Sequence, residues 1–162
     1  GISVFGLAER MNVDRKEAKE LIEGYFTTYP QIKEYMDKSI EIARNQGYVE
    51  TIFQRKRYLP DINSRNATVR GYAERNAINA PIQGSAADII KVAMSRIHKQ
   101  FESNNLKAKM ILQVHDELNF SVPKAEKAIV EEIVIREMET AFAMQVPLKA
   151  DCGWGKNWLE AH

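Results

Sequence analysis

Lys109-Met110-Ile111-Leu112-Gln113-Val114-His115-Asp116-Glu117-Leu118-Asn119-Phe120-Ser121-Val122 is the stretch that decides the fold. Met110, Leu112 and Val114 alternate with Ile111, Gln113 and His115, and Leu118, Phe120 and Val122 then alternate with Asn119 and Ser121. A period of two sends successive side chains to opposite faces of a strand. The polar interruption at His115-Asp116-Glu117 predicts an antiparallel hairpin turning there, with Pro123 ending its second arm. Such a hairpin sets its arms in a core and holds two adjacent carboxylates at the rim. Carboxylate oxygens suit Mg²⁺, a hard ion that keeps waters and also binds phosphate oxygens. A plain polar hairpin tip is the simpler reading of the pair on these residues alone. Zinc is not expected at His115, because no partner histidines stand at metal-binding spacing and the chain has one cysteine, Cys152.

Outward from the hairpin the pattern is mostly helical. Ala67 to Asn79 reads as a helix that Pro81 should kink or break. Ser85 with Asp88 is expected to cap a continuation to about Ser103, which Asn104-Asn105 ends. Downstream, Ala125 to Ala143 predicts an amphipathic helix with Ile129, Ile133, Met138 and Phe142 inward, followed by a strand from Val146 to Ala150. Near the start, Asp14 and Glu17 resemble a capping box ahead of Ala18, Leu21, Ile22, Tyr25 and Phe26. Pro30 opens a further helix with Ile32, Tyr35, Met36, Ser39, Ile40 and Ala43 as its inner stripe, and Gly47 stops it. Tyr48 to Ile52 is a short strand against which Arg57-Tyr58-Leu59 can pair. The fold class is α+β: long helices packed on a small antiparallel sheet, with a central hairpin carrying the Asp-Glu pair.

The chain has 162 residues, 44% hydrophobic and 28% charged, the balance of a globular chain rather than a disordered one. No apolar run approaches the roughly 18–20 residues of a membrane helix. Gly1-Ile2-Ser3-Val4-Phe5 lacks the basic region and cleavage site of a signal peptide, and an initial glycine points to a processed or partial chain. A single cysteine excludes an intramolecular disulfide framework. The net charge of +1 hides an uneven distribution. Between Gln54 and Asn76, six basic residues (Arg55, Lys56, Arg57, Arg65, Arg70, Arg75) face two acids. Between Asp116 and Thr140, seven acids face three bases. A basic stretch suggests phosphate contact, although a solvated face accounts for it too. Neither a serine nucleophile elbow nor a Walker loop is present.

Arg75, Asn79 and Gln83 recur every four residues, which places three long hydrogen-bonding side chains on one helix face. These residue types read base edges in nucleic acids. A solvated polar stripe is the simpler reading of the spacing by itself.

Taken together these segments resemble a known family. Gln113-Val114-His115-Asp116-Glu117-Leu118 is similar to motif C of the family A DNA polymerases. Glu74-Arg75-Asn76-Ala77-Ile78-Asn79-Ala80-Pro81-Ile82-Gln83-Gly84-Ser85-Ala86-Ala87-Asp88-Ile89-Ile90 resembles the long helix packed under that motif. Arg57-Tyr58-Leu59-Pro60-Asp61-Ile62, the Tyr25-Phe26 to Tyr29-Pro30 segment and the tail Gly155-Lys156-Asn157-Trp158-Leu159-Glu160-Ala161-His162 also match, the tail resembling the C-terminus of bacterial members. Gly1 to Ala8 resembles the segment just after the family's nucleotide-binding fingers helix. One departure is visible: Phe53-Gln54-Arg55 stands where relatives place a turn glycine, and Gln54 is expected to avoid a positive φ.

The resemblance implies a C-terminal fingers and palm segment, with residues 1–75 as the rear of the fingers and 76–162 as the latter part of the palm. It implies template-directed DNA synthesis in replication and repair: nucleotidyl transfer from a dNTP to a primer 3′-hydroxyl by a two-metal mechanism using two Mg²⁺ ions. Asp116 would bind metal, with Glu117 tuning the site or binding through water. His115 would touch the primer terminus, and Arg75, Asn79 and Gln83 would contact the duplex minor groove. Arg55, Lys56, Arg65 and Arg70 are unassigned candidates for phosphate contact. The implied partners are primer-template DNA and dNTP, with no membrane, in a cytoplasmic monomer. Motif A and the nucleotide-binding helix are expected to lie outside this chain, so the isolated segment is expected to be inactive. The alternative is a non-catalytic DNA-binding or structural subdomain.

Overall fold

A computed structural model of the chain describes residues 2–161; Gly1 and His162, which end two of the family-like stretches, lie outside the described residues. The architecture is α+β, with two separate two-stranded antiparallel ladders rather than one sheet. The chain forms two compact units, Gly1–Gly84 and Ser85–His162.

In the first unit, Ser3 caps α1 (Val4–Met11) by accepting the Gly6 N–H at 3.1 Å. Asp14 caps α2 (Arg15–Thr28) by accepting the Glu17 N–H at 2.8 Å. Pro30 occupies the first turn of α3 (Pro30–Gln46), where its missing N–H is not needed, and Gly47 closes that helix at φ 79°. β1 (Tyr48–Glu50) then pairs with β2 (Lys56–Tyr58). The core of this unit is Ala43, Val49, Leu59, Ile62, Ala73 and Ala77. Only the C-terminal half of the expected α3 stripe is inside: Ser39 and Ala43 are buried, while Ile32 and Tyr35 are exposed. On α2, Ala18 is buried but Leu21 and Tyr25 are exposed.

Gln54 corrects one expectation, because it adopts φ 62° after all. A non-glycine residue there costs roughly 1–2 kcal/mol, and Thr51 offsets it. Thr51 accepts the Gln54 N–H on its carbonyl (2.9 Å) and donates its own N–H to Arg55 O (3.0 Å). Its hydroxyl oxygen also accepts from the N–H groups of Phe53 and Arg55.

α4 runs unbroken from Ala67 to Ser103 through Pro81, so neither the break nor the fresh cap at Ser85 is formed. Proline cannot donate to the carbonyl four residues back, and its ring disturbs the preceding turn. Tyr35 O–H donates from outside the helix to Ile78 O at 3.1 Å, the carbonyl next to that of Ala77, which Pro81 leaves without its helical donor. Ser85 and Asp88 lie inside the helix and are buried. Asn105 at φ 53° ends it, with Leu106 N–H donating back to Phe101 O at 3.0 Å.

In the second unit, β3 (Lys109–Val114) and β4 (Glu117–Ser121) form the hairpin. It packs on the second half of α4 and on α5 (Lys127–Glu139) around Ala93, Ile97, Phe101, Ala108, Val130, Ile133 and Ala141. Met110, Leu118, Phe120 and Val122 join this core, with the Phe101 and Phe120 rings 5.8 Å apart. The alternation in β3 is broken by a bulge: Met110 pairs with Phe120 but Leu112 pairs with Asn119, leaving Ile111 and Leu112 both exposed. A 3-10 turn (Lys124–Glu126) precedes α5 and winds the chain at about three residues per turn. The buried stripe of α5 is Val130, Ile133 and Glu137, continuing to Ala141, and Ile129 is exposed. The helix stops at Glu139 rather than Ala143. No strand forms at Val146–Ala150. Pro147 has no N–H for a ladder, and the Glu139 carboxylate, rather than a neighbouring strand, takes the Ala150 N–H (3.2 Å) and the Lys149 ammonium (3.5 Å). The last element among the described residues is α6 (Trp158–Ala161).

Candidate functional site

Hairpin geometry places the carboxylates. Val114 and Glu117 are the last cross-strand pair, so His115 and Asp116 alone make the loop. His115 sits at φ 53°, the left-handed value that tight two-residue hairpins need at a central position. Glycine or asparagine meets that need more cheaply, so the histidine is held by its surroundings. Gln113 contributes by donating its side-chain amide to His115 O at 2.9 Å. Asp116 and the His115 side chain are exposed. Asp116 has no hydrogen-bond or ion-pair partner among the described residues.

Glu117 differs from its neighbour in kind. It is half-buried, and its Oε1 accepts the Trp158 indole N–H at 2.6 Å and the Asn119 side-chain amide at 3.0 Å. One carboxylate thus stands ready for an outside ligand while the other is already hydrogen-bonded by this chain.

Both carboxylates offer the hard oxygen donors that Mg²⁺ prefers. Among the described residues, however, no group of three or more His, Cys, Asp or Glu comes together to hold a metal ion. The donor chemistry fits Mg²⁺ in type and falls short in number, so a two-ion set is not assembled by these residues alone.

In the first unit, Arg75, Asn79 and Gln83 do share one face of α4. Arg75 and Gln83 are exposed and Asn79 is half-buried. Neither amide has a partner among the described residues, which leaves their donors available. Arg75 stacks near the Tyr72 ring at 5.9 Å. Of the basic candidates, Arg70 is committed to the fold, donating to Ser64 O at 2.9 Å and lying 3.7 Å from Glu74. Lys56 lies over the Tyr48 ring at 4.4 Å, and the hydrogen bond to Tyr48 raises its pKa further, keeping it charged. Arg55, Lys56 and Arg65 are exposed.

Three residues support the pair in ways the sequence does not show: Gln113, Asn119 and Trp158. Gln113 and Trp158 stand in the family-like stretches and Asn119 in the alternation of a strand, but no periodicity connects Trp158 with a residue 41 positions earlier.

Comparison with known proteins gives a consistent result. The sequence profile of DNA polymerase family A matches residues 1–160. The chain is 55% identical over 160 residues to a DNA polymerase I of Caldicellulosiruptor bescii, covering 99% of this chain and 19% of that protein. It is 52% identical over 161 residues to a DNA polymerase I of Streptococcus pneumoniae, covering 99% of this chain and 18% of that one. Among solved structures it resembles the POL domain of Pol1 from M. smegmatis, determined in complex with DNA primer-template and dNTP. The TM-score is 0.97 at 42% identity, over 99% of this chain and 28% of the other. The chain therefore spans about a fifth of the length of the curated relatives it matches.

Proposed function

Because this chain belongs to DNA polymerase family A, we propose that it serves as the rear-fingers (1–75) and C-terminal palm (76–162) portion of a longer DNA-directed DNA polymerase. The activity is template-directed nucleotidyl transfer in cytoplasmic DNA replication and repair. The primer 3′-oxygen bonds to the α-phosphorus of a dNTP, and the bond from that phosphorus to the bridging oxygen breaks to release pyrophosphate. Two Mg²⁺ ions, when bound, supply Lewis-acid stabilisation of the attacking and leaving oxygens. The observation that carries this reading is the match of nearly the whole chain to a domain solved with primer-template and dNTP.

Each residue then has a task set by its chemistry. Asp116 presents an exposed carboxylate at the hairpin tip, without a hydrogen-bond or ion-pair partner among the described residues, and serves as one metal ligand. Glu117 tunes the same site from a half-buried position. His115, turned out of the loop, meets the primer terminus. Arg75, Asn79 and Gln83 offer donors to the minor groove, where every Watson–Crick pair presents a purine N3 or pyrimidine O2 acceptor. Donors of this kind test the shape of a pair without reading its sequence. The polymerase works as a monomer on DNA.

The shortage of metal ligands among the described residues supports a second statement: the isolated chain does not polymerise and acts at most as a DNA-binding subdomain. Primer extension with the longer polymerase and with this 162-residue chain tests both. Templated incorporation by the longer protein only is expected. No incorporation by the longer protein would overturn the polymerase reading, and incorporation by the isolated chain would overturn the ligand-shortage statement.

A further inference from the structure

The C-terminal tail reaches back to the carboxylate pair. Trp158 donates its indole N–H to Glu117 Oε1 at 2.6 Å, across 41 residues of sequence, and Asn119 donates its amide to the same oxygen at 3.0 Å. Both donors converge on the carboxylate next to Asp116. The turn that carries Trp158 is specifically built. Asn157 Oδ1 accepts the Glu160 N–H at 3.1 Å, and the Glu160 carboxylate accepts from Lys156 N–H (2.9 Å) and the Asn157 amide (3.0 Å). This turn folds back onto two glycines. A Cβ at Gly153 would stand 1.9 Å from Ala161 O, and one at Gly155 would stand 2.6 Å from both Ala161 N and Glu160 Cβ. No side chain fits at either position while α6 stays where it is. Trp154, on the same segment, is anchored separately to Glu131 Oε2 at 2.9 Å.

We infer that Trp158 is a positioning residue for the carboxylate pair, held on Glu117 by a tail strap that the absence of side chains at Gly153 and Gly155 makes possible. The inference rests on the reading of Asp116 and Glu117 given under Proposed function. Two N–H groups on one oxygen select a single rotamer of Glu117 and fix the orientation of its other oxygen. Glu117 also closes the two-residue loop opposite Val114, so restraining it restrains the loop that presents Asp116. A hydrogen-bond donor that orients a carboxylate beside a metal site supports turnover without touching substrate. Leu159, the neighbouring residue on α6, is 89% exposed and takes no part.

Two measurements test this. The first needs no activity. The chain has two tryptophans and so two indole N–H resonances. In this 162-residue chain, Glu117→Gln is expected to move the Trp158 signal and leave the Trp154 signal in place, and Gly155→Ala is expected to move the Trp158 signal likewise. An unmoved Trp158 signal in Glu117→Gln would overturn the contact. The second uses the longer polymerase. Trp158→Phe keeps a ring but removes the N–H, and should lower kcat about 10–100-fold with the KM for dNTP and the affinity for DNA unchanged. Gly155→Ala should cost the same, and the double variant no more than either single, because both remove one interaction. Leu159→Ser should leave kcat unaltered. Wild-type kcat in Trp158→Phe, or a matching loss in Leu159→Ser, would overturn the positioning role. Absence of extension by the unmodified longer polymerase would count against the polymerase reading instead, and the strap would then be judged on the indole resonances.

Discussion

Substituting Asp116 by Asn in the longer polymerase separates chemistry from stability. The two side chains have nearly the same size, and both are tolerated in tight turns. Asp116 is exposed and has no hydrogen-bond or ion-pair partner among the described residues, so the fold loses no interaction when the charge goes. Unfolding free energy should change by no more than about 0.5 kcal/mol, the usual range for a surface site without special contacts. The reaction should respond very differently. Removing a preorganised charge from a site where phosphoryl charge develops costs about 10³-fold in rate, equivalent to about 4 kcal/mol of barrier. Single-turnover extension of a matched primer at saturating dNTP reads the barrier, and urea unfolding of the same preparation reads the stability. Asp116→Glu, which restores the charge one methylene further out, should recover part of the lost rate. Turnover within about tenfold of the unmodified enzyme would refute the metal role; a stability loss above about 1.5 kcal/mol would instead show that the residue is structural.

Other contacts carry expectations of their own. Glu126 accepts the backbone N–H groups of Lys107 and Ala108 at 2.9–3.0 Å, and Ala108 is buried, so Glu126→Ala should cost about 2–3 kcal/mol in denaturant unfolding. Ile97 on α4 is fully buried in the core that the helix shares with the hairpin and α5, and Ile97→Ala should cost about 2–5 kcal/mol by the same assay. Gln83→Ala should weaken extension from the primer end and change discrimination against mismatched termini, to a comparable degree across template sequences, since minor-groove acceptors are common to all pairs; a preference for one sequence that disappears with the side chain would indicate base-specific reading. Cys152 is exposed, yet partial desolvation of its sulfur pushes the thiol up, with Glu131 adding to the rise and Lys127 and Trp154 opposing it. The thiol therefore stays protonated to higher pH, and the midpoint of its iodoacetamide reactivity should lie above that of free cysteine; a midpoint below it would contradict that desolvation.

The sequence by itself determined the features that depend on near neighbours. Asp14 accepts the Glu17 N–H, Pro30 brings no N–H that needs a partner at a first helical turn, and Gly47 donates to Ala43 O, all within four residues, so composition and spacing suffice to place α2 and α3. The two alternating runs around His115 and Asp116 likewise determined a hairpin and its turn, and the Arg75, Asn79, Gln83 repeat determined a shared helix face. Tertiary structure decided the rest, because the deciding partner lies far away in the chain. Pro81 stays inside α4, and the helix around it is contacted from far away in the chain, Tyr35, more than forty residues earlier, donating to Ile78 O. Val146–Ala150 fails as a strand because the Glu139 side chain takes the Ala150 N–H that a neighbouring strand would need. The bulge at Ile111 turns Leu112 outward, a shift of register that alternation cannot reveal. The difference between Asp116 and Glu117 is of the same kind: adjacent acids look equivalent in sequence, and the fold brings Trp158 back from the tail to join Asn119 on Glu117 while Asp116 faces solvent.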